Sequence, residues 1–266
     1  MMFWRLFLFV FTTIFVWGKV HYARIEPYER RVVKSSVSGR VVSAQRELEG
    51  SFIEDKRTLV EIDSARDREE LGYIEKSLRI LREMKRLNDR IVPGLKESFV
   101  KKRSYYERME SMSTASKTQK DDAYTMMVNA ENQYLAAVEK SLSYEKQILD
   151  MSDRADRLRD TIAKKRVAVE RGYLYRLDVR RDDYATPGKT LAVVDDIDRA
   201  KLVIYLDRDE LEGIMGKKVY IDGRESDAMI EKVWRESDGR YISSYRVEIV
   251  LKPSRIFSSL VKVELR

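Results

Sequence analysis

The spacing of apolar and polar positions changes character three times along this chain. It opens on an almost unbroken apolar run from Phe3 to Trp17, with Arg5 its only charge and Gly18-Lys19 closing it. Extended from Met1 to Val20, that run makes a helix of about 20 residues and roughly 30 Å. This is enough to cross a bilayer if Arg5 reaches back to the headgroups. Up to about residue 63, and again from about residue 166, short segments alternate around glycines with the period of strands. Between them, from about Ser64 to Ala163, apolar residues recur at threes and fours. One seam runs Leu71, Ile74, Leu78, Leu81, Lys85, Asn88, Val92, Leu95, Phe99, Lys102, Tyr106, Met109. A second runs Met127, Ala130, Tyr134, Ala137, Ser141, Tyr144, Ile148, Met151, Ala155, Leu158, Ile162. Both are heptad seams, and they predict two long helices packed on each other.

The turn between the helices falls at residues 111–116, a stretch of small residues without a heptad. Ser113, Thr114 or Ser116 is expected to cap the second helix, with Asp121-Asp122 favourable beside its N-terminus. Folding the chain about residues 114 and 115 leaves two arms of about 49 residues, roughly 73 Å each. In that register Asn88 meets Ser141 and Lys85 meets Tyr144, a polar notch of the kind that fixes alignment at some cost in stability. Pro93 predicts a kink or a restart of the first helix near Val92.

The segments on either side of the hairpin resemble each other. The first holds Ser38-Gly39-Arg-Val-Val42, Glu49-Gly50-Ser-Phe-Ile53 and Arg57 to Asp63. The second holds Val167 to Tyr175 around Gly172, then Asp182-Asp183-Tyr184, then Thr186-Pro187-Gly188 to Asp195. Each reads as strand, glycine turn, strand, polar turn, strand, with Gly39, Gly50, Gly172, Pro187 and Gly188 as structural turn positions. Neither half carries enough apolar surface to fold alone. Paired, they make one small β-sandwich that brings the two helix ends together. Beyond residue 199, runs at Lys201–Leu206, Lys217–Ile221, Met229–Trp234 and Tyr245–Val250, with turns at Asp222-Gly223 and Asp238-Gly239, predict a small antiparallel barrel completed by the strand-like stretch Val20–Tyr28.

Composition narrows the function. The 266 residues are 36% charged, with 11 glycines, 4 prolines and no cysteine. That favours long helices and excludes disulfides, thiolate metal sites, a cysteine nucleophile and a cysteine-borne lipid anchor. The net charge of +7 is spread among interleaved acids and bases, which argues against nucleic acid as a partner. His21, the single histidine, reads as an interfacial side chain beside the anchor. Asp195, Asp196 and Asp198 read as a solvated turn that falls short of a calcium loop. Asp182-Asp183 reads likewise. No phosphate loop or nucleophile motif occurs, so catalysis, metal and cofactor are not expected. The apolar N-terminus lacks a small-x-small cleavage site after Trp17, which favours an uncleaved anchor over a signal peptide; both export the rest of the chain.

The order of these parts resembles the periplasmic adaptors called membrane fusion proteins, the haemolysin D secretion-protein family. In them a helical hairpin interrupts a lipoyl-like domain. The matching stretches are Ser38–Val42 with Glu49–Ile53, and Tyr184–Val194. Lys201–Leu206, Glu210-Leu211 and Gly216–Ile221 look like the opening of the family's β-barrel domain. The resemblance implies an elongated, multidomain α+β fold. Its parts are an anchor at 1–20, a linker or barrel strand at 21–30, lipoyl-like halves at 31–63 and 166–198, a hairpin at 64–165 with its tip near 111–116, and a barrel at 199–266. The lipoyl likeness is one of fold only, because the turn that would carry a modified lysine is replaced by about 100 residues of helix. The resemblance implies one of the family's shorter members, with no further membrane-proximal domain expected.

It further implies a non-catalytic adaptor in the inner membrane of a Gram-negative bacterium, single-pass, with its bulk in the periplasm. There it would join an inner-membrane transporter of the ABC, MFS or RND class to an outer-membrane channel of the TolC type. Self-association is expected, by analogy as six copies. In the family the tip carries an Arg, Leu, Ser pattern that meets the channel. Here Ser116 matches the serine, Met109 stands at the leucine and Tyr105 at the arginine, with Arg103 and Arg108 nearby, and Ser113 and Thr114 complete the tip. Met109 and Ser116 can equally serve as seam closure and helix cap. An envelope scaffold with a coiled coil and no transporter is the rival reading.

Overall fold

The structure is a computed structural model, and it describes residues 19–237, 244–253 and 257–266. The expected anchor at 1–20 and the Asp238-Gly239 turn fall outside these, the first but for its last two residues. Among the described residues no helix is long and apolar enough to cross a membrane. The chain divides into two compact units. One is the hairpin, Glu61–Arg166 with Val37–Arg40. The other holds Val41–Val60, Val167–Arg266 and the described residues up to Ser36.

The strands that precede the hairpin are β1 (Val20–Pro27), β2 (Arg30–Lys34), β3 (Gly39–Ala44), β4 (Phe52–Ile53) and β5 (Arg57–Ile62). The hairpin is α1 (Ala65–Ser111) and α2 (Lys117–Lys164). Then come β6 (Arg166–Val169), β7 (Gly172–Leu177), β8 (Tyr184–Ala185) and β9 (Thr190–Asp195). The last group is β10 (Ala200–Asp207), β11 (Val219–Ile221), β12 (Arg224–Glu225), β13 (Met229–Ser237), β14 (Ser244–Leu251) and β15 (Leu260–Leu265).

Two four-stranded sheets, ordered β2-β9-β7-β4 and β6-β5-β3-β8, form the split module. Each half lends its two-residue strand to the other half's sheet, so β4 pairs with β7. The backbone bonds repeat under a two-fold exchange. Gly50 N–H donates to Leu174 O and Asp182 N–H to Val41 O, both at 2.8 Å; Leu174 N–H donates to Ser51 O at 3.0 Å and Val41 N–H to Asp183 O at 2.8 Å. Gln45 N–H reaches Leu59 O at 2.9 Å, and its counterpart Asp178 N–H reaches Leu191 O at 2.8 Å. Val41, Leu59, Leu174 and Leu191 are fully buried between. Neither half can satisfy its buried polar backbone without the other, which is why both are needed to fold.

This symmetry explains one expected turn and corrects another. Asp182-Asp183 is a turn with Asp182 exposed, and it is the counterpart of Gly50-Ser51: Asp182 has φ 71° where Gly50 has φ 80°, an aspartate in a left-handed turn position that aspartate tolerates. Gly39 and Gly172 do not sit in turns but open β3 and β7. They are required for space: a Cβ at Gly39 would lie 2.6 Å from Ile62 Cγ2, and one at Gly172 2.6 Å from Val194 Cγ1 and 2.9 Å from Asp195 O.

The C-terminal part is a seven-stranded antiparallel sheet ordered β12-β11-β15-β1-β10-β14-β13. Strand β1 lies between β15 and β10, pairing Tyr22 with Lys262 and Ile25 with Leu202, as the strand-like stretch after the anchor suggested. The order has two free ends, so the sheet is a curled, open half-barrel rather than a closed barrel. Ala23, Leu202, Ile204, Leu206, Val247, Ile249 and Val263 form its core. Asp222-Gly223 makes the β11-β12 turn, with φ 49° and 80°.

The helices of 47 and 48 residues are each about 70 Å long. Ile74, Leu78 and Ala155 form a buried cluster along the seam. Farther out Phe99 stacks on Tyr134 at 6.2 Å, and Tyr106 meets Tyr124 at 5.5 Å. Of the seam positions only Lys102 is exposed, since its ammonium gains nothing from the contact. Asn88 is 9% exposed and donates to Ala137 O at 2.7 Å, while neighbouring Asp89 accepts from Ser141. Lys85 pairs with Asp89 at 2.9 Å and reaches Glu145, the residue after Tyr144, at 3.9 Å. The helix passes through Pro93 without restarting; Pro93 is exposed, so water can satisfy the carbonyl that loses its partner. At the base, Ile62 N–H donates to Lys165 O at 2.8 Å and Lys165 pairs with Asp67, which holds the two helix ends together.

Candidate functional site

The hairpin tip is a short, tightly determined loop. Ser111 Oγ closes α1 on Arg108 O at 2.8 Å, and Met112 N–H turns back to Met109 O at 3.3 Å. Ser116 begins α2 with a capping box: its hydroxyl accepts from Gln119 N–H at 3.3 Å and its N–H donates to Gln119 Oε1 at 2.9 Å. Lys120 Nζ crosses to Glu110 O at 3.0 Å. The side chains of Met112, Ser113 and Thr114 are left pointing to solvent.

The expected contact residues therefore separate. Ser113 and Thr114 are exposed at the apex; Ser116 is exposed but holds the helix cap; Met109 is half-buried in the seam; Tyr105 is exposed on the flank of α1, short of the apex. Arg103 is engaged by Glu107 at 3.0 Å. Met112, 52% exposed, was not anticipated; the signal was its position between two cap residues, where an apolar side chain has no seam to enter. Asp121-Asp122 lie beyond the first turn of α2, which contains no acid, because the helix begins at Lys117. What this apex offers to solvent is a thioether and two hydroxyls, with Tyr105 exposed two turns back along α1.

The half-barrel carries polar groups of its own. His21, expected beside the anchor, lies on β1 with Nε2 2.9 Å from Glu210 Oε1, on the 3-10 turn Arg208–Leu211. Lys19 reaches Asp207 at 3.1 Å and Glu210 at 3.7 Å; the hydrogen bond to Asp207, with the charge of Glu210 beside it, raises the Lys19 ammonium above its ordinary value. Gly216 ends the next such turn, Ile214–Gly216. In the split module, Asp195 is no solvated turn carboxylate: it is 2% exposed and grips Arg30 through both oxygens, at 2.7 and 2.9 Å. Arg30 also lies 4.3 Å over the Tyr175 ring, and its hydrogen bond to Asp195 raises its affinity for the proton further. Asp196 and Asp198 make a local turn, with Asp198 paired to Arg171 at 3.2 Å. Among the described residues no three carboxylate or imidazole groups come together as metal ligands would.

No family model and no curated protein matches the sequence. Solved structures do match in fold. MacA from Actinobacillus actinomycetemcomitans superimposes with a TM-score of 0.62 at 13% identity, over 94% of this chain and 78% of that one. The membrane fusion protein Spr0693 from Streptococcus pneumoniae R6 gives 0.52 at 7% identity, over 94% and 99%. The periplasmic adaptor protein EmrA gives 0.51 at 14% identity, over 93% and 99%.

Proposed function

We propose that this chain, which has the fold of the membrane fusion and periplasmic adaptor proteins, is a non-catalytic adaptor of the haemolysin D type in an efflux or secretion system. In this reading residues 1–20 anchor it in the inner membrane of a Gram-negative bacterium. Segments 31–63 and 166–198 form the lipoyl-like module, 199–266 form the half-barrel that docks on an inner-membrane transporter, and 64–165 form the hairpin. The apex at Met112, Ser113 and Thr114, with Met109, Ser116 and Tyr105 behind it, meets an outer-membrane channel of the TolC type. The chain supplies reach and docking surfaces, and the transporter supplies the energy.

One observation carries the reading: two β halves complete each other's sheets bond for bond, while 47- and 48-residue helices leave and return between them. A plain coiled-coil scaffold has no use for that interruption. Since the chain has no cysteine, Ser113→Cys and Gly216→Cys each give a single attachment point for a cross-linker in whole cells. Capture of an outer-membrane channel from position 113 and of a transporter from position 216 is expected. Capture of neither would leave the envelope-scaffold reading in its place.

A further inference from the structure

The seven-stranded sheet has two faces, and its core accounts for only one of them. Ala23, Leu202, Val247 and Val263 point inward, so by the two-residue period of a strand their neighbours point outward. On β1 and β15 three outward pairs stand across from each other: Val20 with Glu264, Tyr22 with Lys262 and Arg24 with Leu260. Of these, Val20, Tyr22 and Leu260 are 46%, 62% and 66% exposed.

Farther out on the same face, aromatic rings carry cations. Beside β15, the Arg266 guanidinium lies 4.6 Å from the Tyr220 ring of β11. On β13, Trp234 is flanked by Lys232 at 4.5 Å and Arg246 at 4.7 Å. The acids of this face are compensated from within. Glu264 is held by Arg266 at 3.1 Å, Glu248 by Arg246 at 2.6 Å and Lys201 at 3.8 Å, and Asp207 by Lys19 at 3.1 Å. Glu26 stands across from Lys201 in the ladder. Among the described residues Arg24, Lys232 and Lys262 take part in no ion pair, so their charge is left for something outside the chain.

Tyrosine, tryptophan, single aliphatic side chains and unneutralised cations together suit the headgroup layer of a bilayer. Tyr and Trp rings settle there with one end dry and the other wet, and lysine and arginine meet lipid phosphate. The position of this face along the chain says which bilayer. Four residues, 18–21, separate Trp17, which closes the apolar run, from Tyr22. Even fully extended, the chain from Trp17 to Tyr22 reaches about 17 Å.

We propose that the outer face of the half-barrel lies on the anionic headgroup surface of the membrane that holds residues 1–20. Tyr22 and Leu260 sit among the headgroups, and Arg24, Lys232 and Lys262 meet lipid phosphates. The placement rests on the anchor of the adaptor reading and adds to it a lipid contact made by the folded part itself. A lone anchor leaves the half-barrel free to swivel; a lipid-bound face fixes which side it turns to a transporter.

The test uses the full-length chain, reconstituted in vesicles of phosphatidylcholine with about one third phosphatidylglycerol and a trace of lipid bearing a headgroup nitroxide. Because the chain has no cysteine, Leu260→Cys and, in the exposed β4–β5 turn of the split module, Asp55→Cys each take a single fluorescent label. Quenching at position 260 should exceed that at position 55 at least threefold. It should fall in pure phosphatidylcholine, and in high salt, which screens the surface charge. Arg24→Glu with Lys262→Glu should bring position 260 down to the level of position 55, since each basic residue near such a surface is worth about a fivefold change in partitioning. The salt arm needs no charge substitution, so it decides even where the double variant unfolds. Quenching at 260 no greater than at 55 overturns the proposal and leaves the face to a protein partner; equal quenching in neutral vesicles, or quenching that salt does not lower, also overturns it. If carbonate strips the chain from the vesicles, the anchor fails and the lipid contact with it. Retention in carbonate without the quenching sinks the lipid contact alone and leaves the adaptor reading standing.

Discussion

Arg30 and Asp195 form a pair in which one partner is nearly sealed from water and the other lies across a tyrosine ring. Removing the cation strands a buried carboxylate, so Arg30→Ala is expected to cost about 2–3 kcal/mol, below the full cost of breaking a buried pair because Arg30 is half exposed. Urea denaturation measures it. The glycines give effects of opposite sign. Gly172→Ala pushes a methyl group into Val194 and the Asp195 carbonyl and should destabilise the split module by about 1–3 kcal/mol. Gly72→Ala, inside α1 with nothing within 4 Å of the new Cβ, should stabilise the hairpin by about 1 kcal/mol. Thermal melts of the two variants should move in opposite directions.

At the scale of elements, the hairpin was legible because a heptad is a local signal repeated many times. Seam and turn were readable, and the register nearly so: the notch is polar as expected, but Asn88 donates to Ala137 O and it is Asp89 that meets Ser141. Strands β4, β8 and β12 were harder to see, because a two-residue strand carries no period, and β4 and β8 are defined by the half of the chain they pair with. Asp182 shows the same limit: its turn role emerges only against Gly50 in the other half. The site was less legible than the fold. Ser116 could be read as a cap and Met109 as a seam residue, but the exposure of Met112 follows from where each helix stops, a matter of single residues.

The notch makes its own predictions. Ser141 and Lys85 hold the Asp89 carboxylate below its ordinary value. A lowered carboxylate stabilises the fold above its unfolded value of about 4, and the contribution is lost as pH falls through the folded value. Asp89→Asn should therefore melt below the parent chain at pH 6, and the difference should shrink towards pH 2. Asn88→Leu should raise the hairpin's melting temperature while relaxing its alignment. Spin labels at Tyr73 and Asp156 would then report a broader distance distribution.

For the whole molecule the proposed function requires one chain to engage two partners at once, a transporter at the half-barrel and a channel at the hairpin apex. Single cross-links can each succeed for trivial reasons, such as crowding at a membrane. The most direct measurement is a double variant, Ser113→Cys with Gly216→Cys, cross-linked in cells and isolated as one covalent species under denaturing conditions. A product containing the chain, an outer-membrane channel and an inner-membrane transporter together is the predicted result. Two separate products that never combine, or capture of other copies of the chain alone, would contradict it.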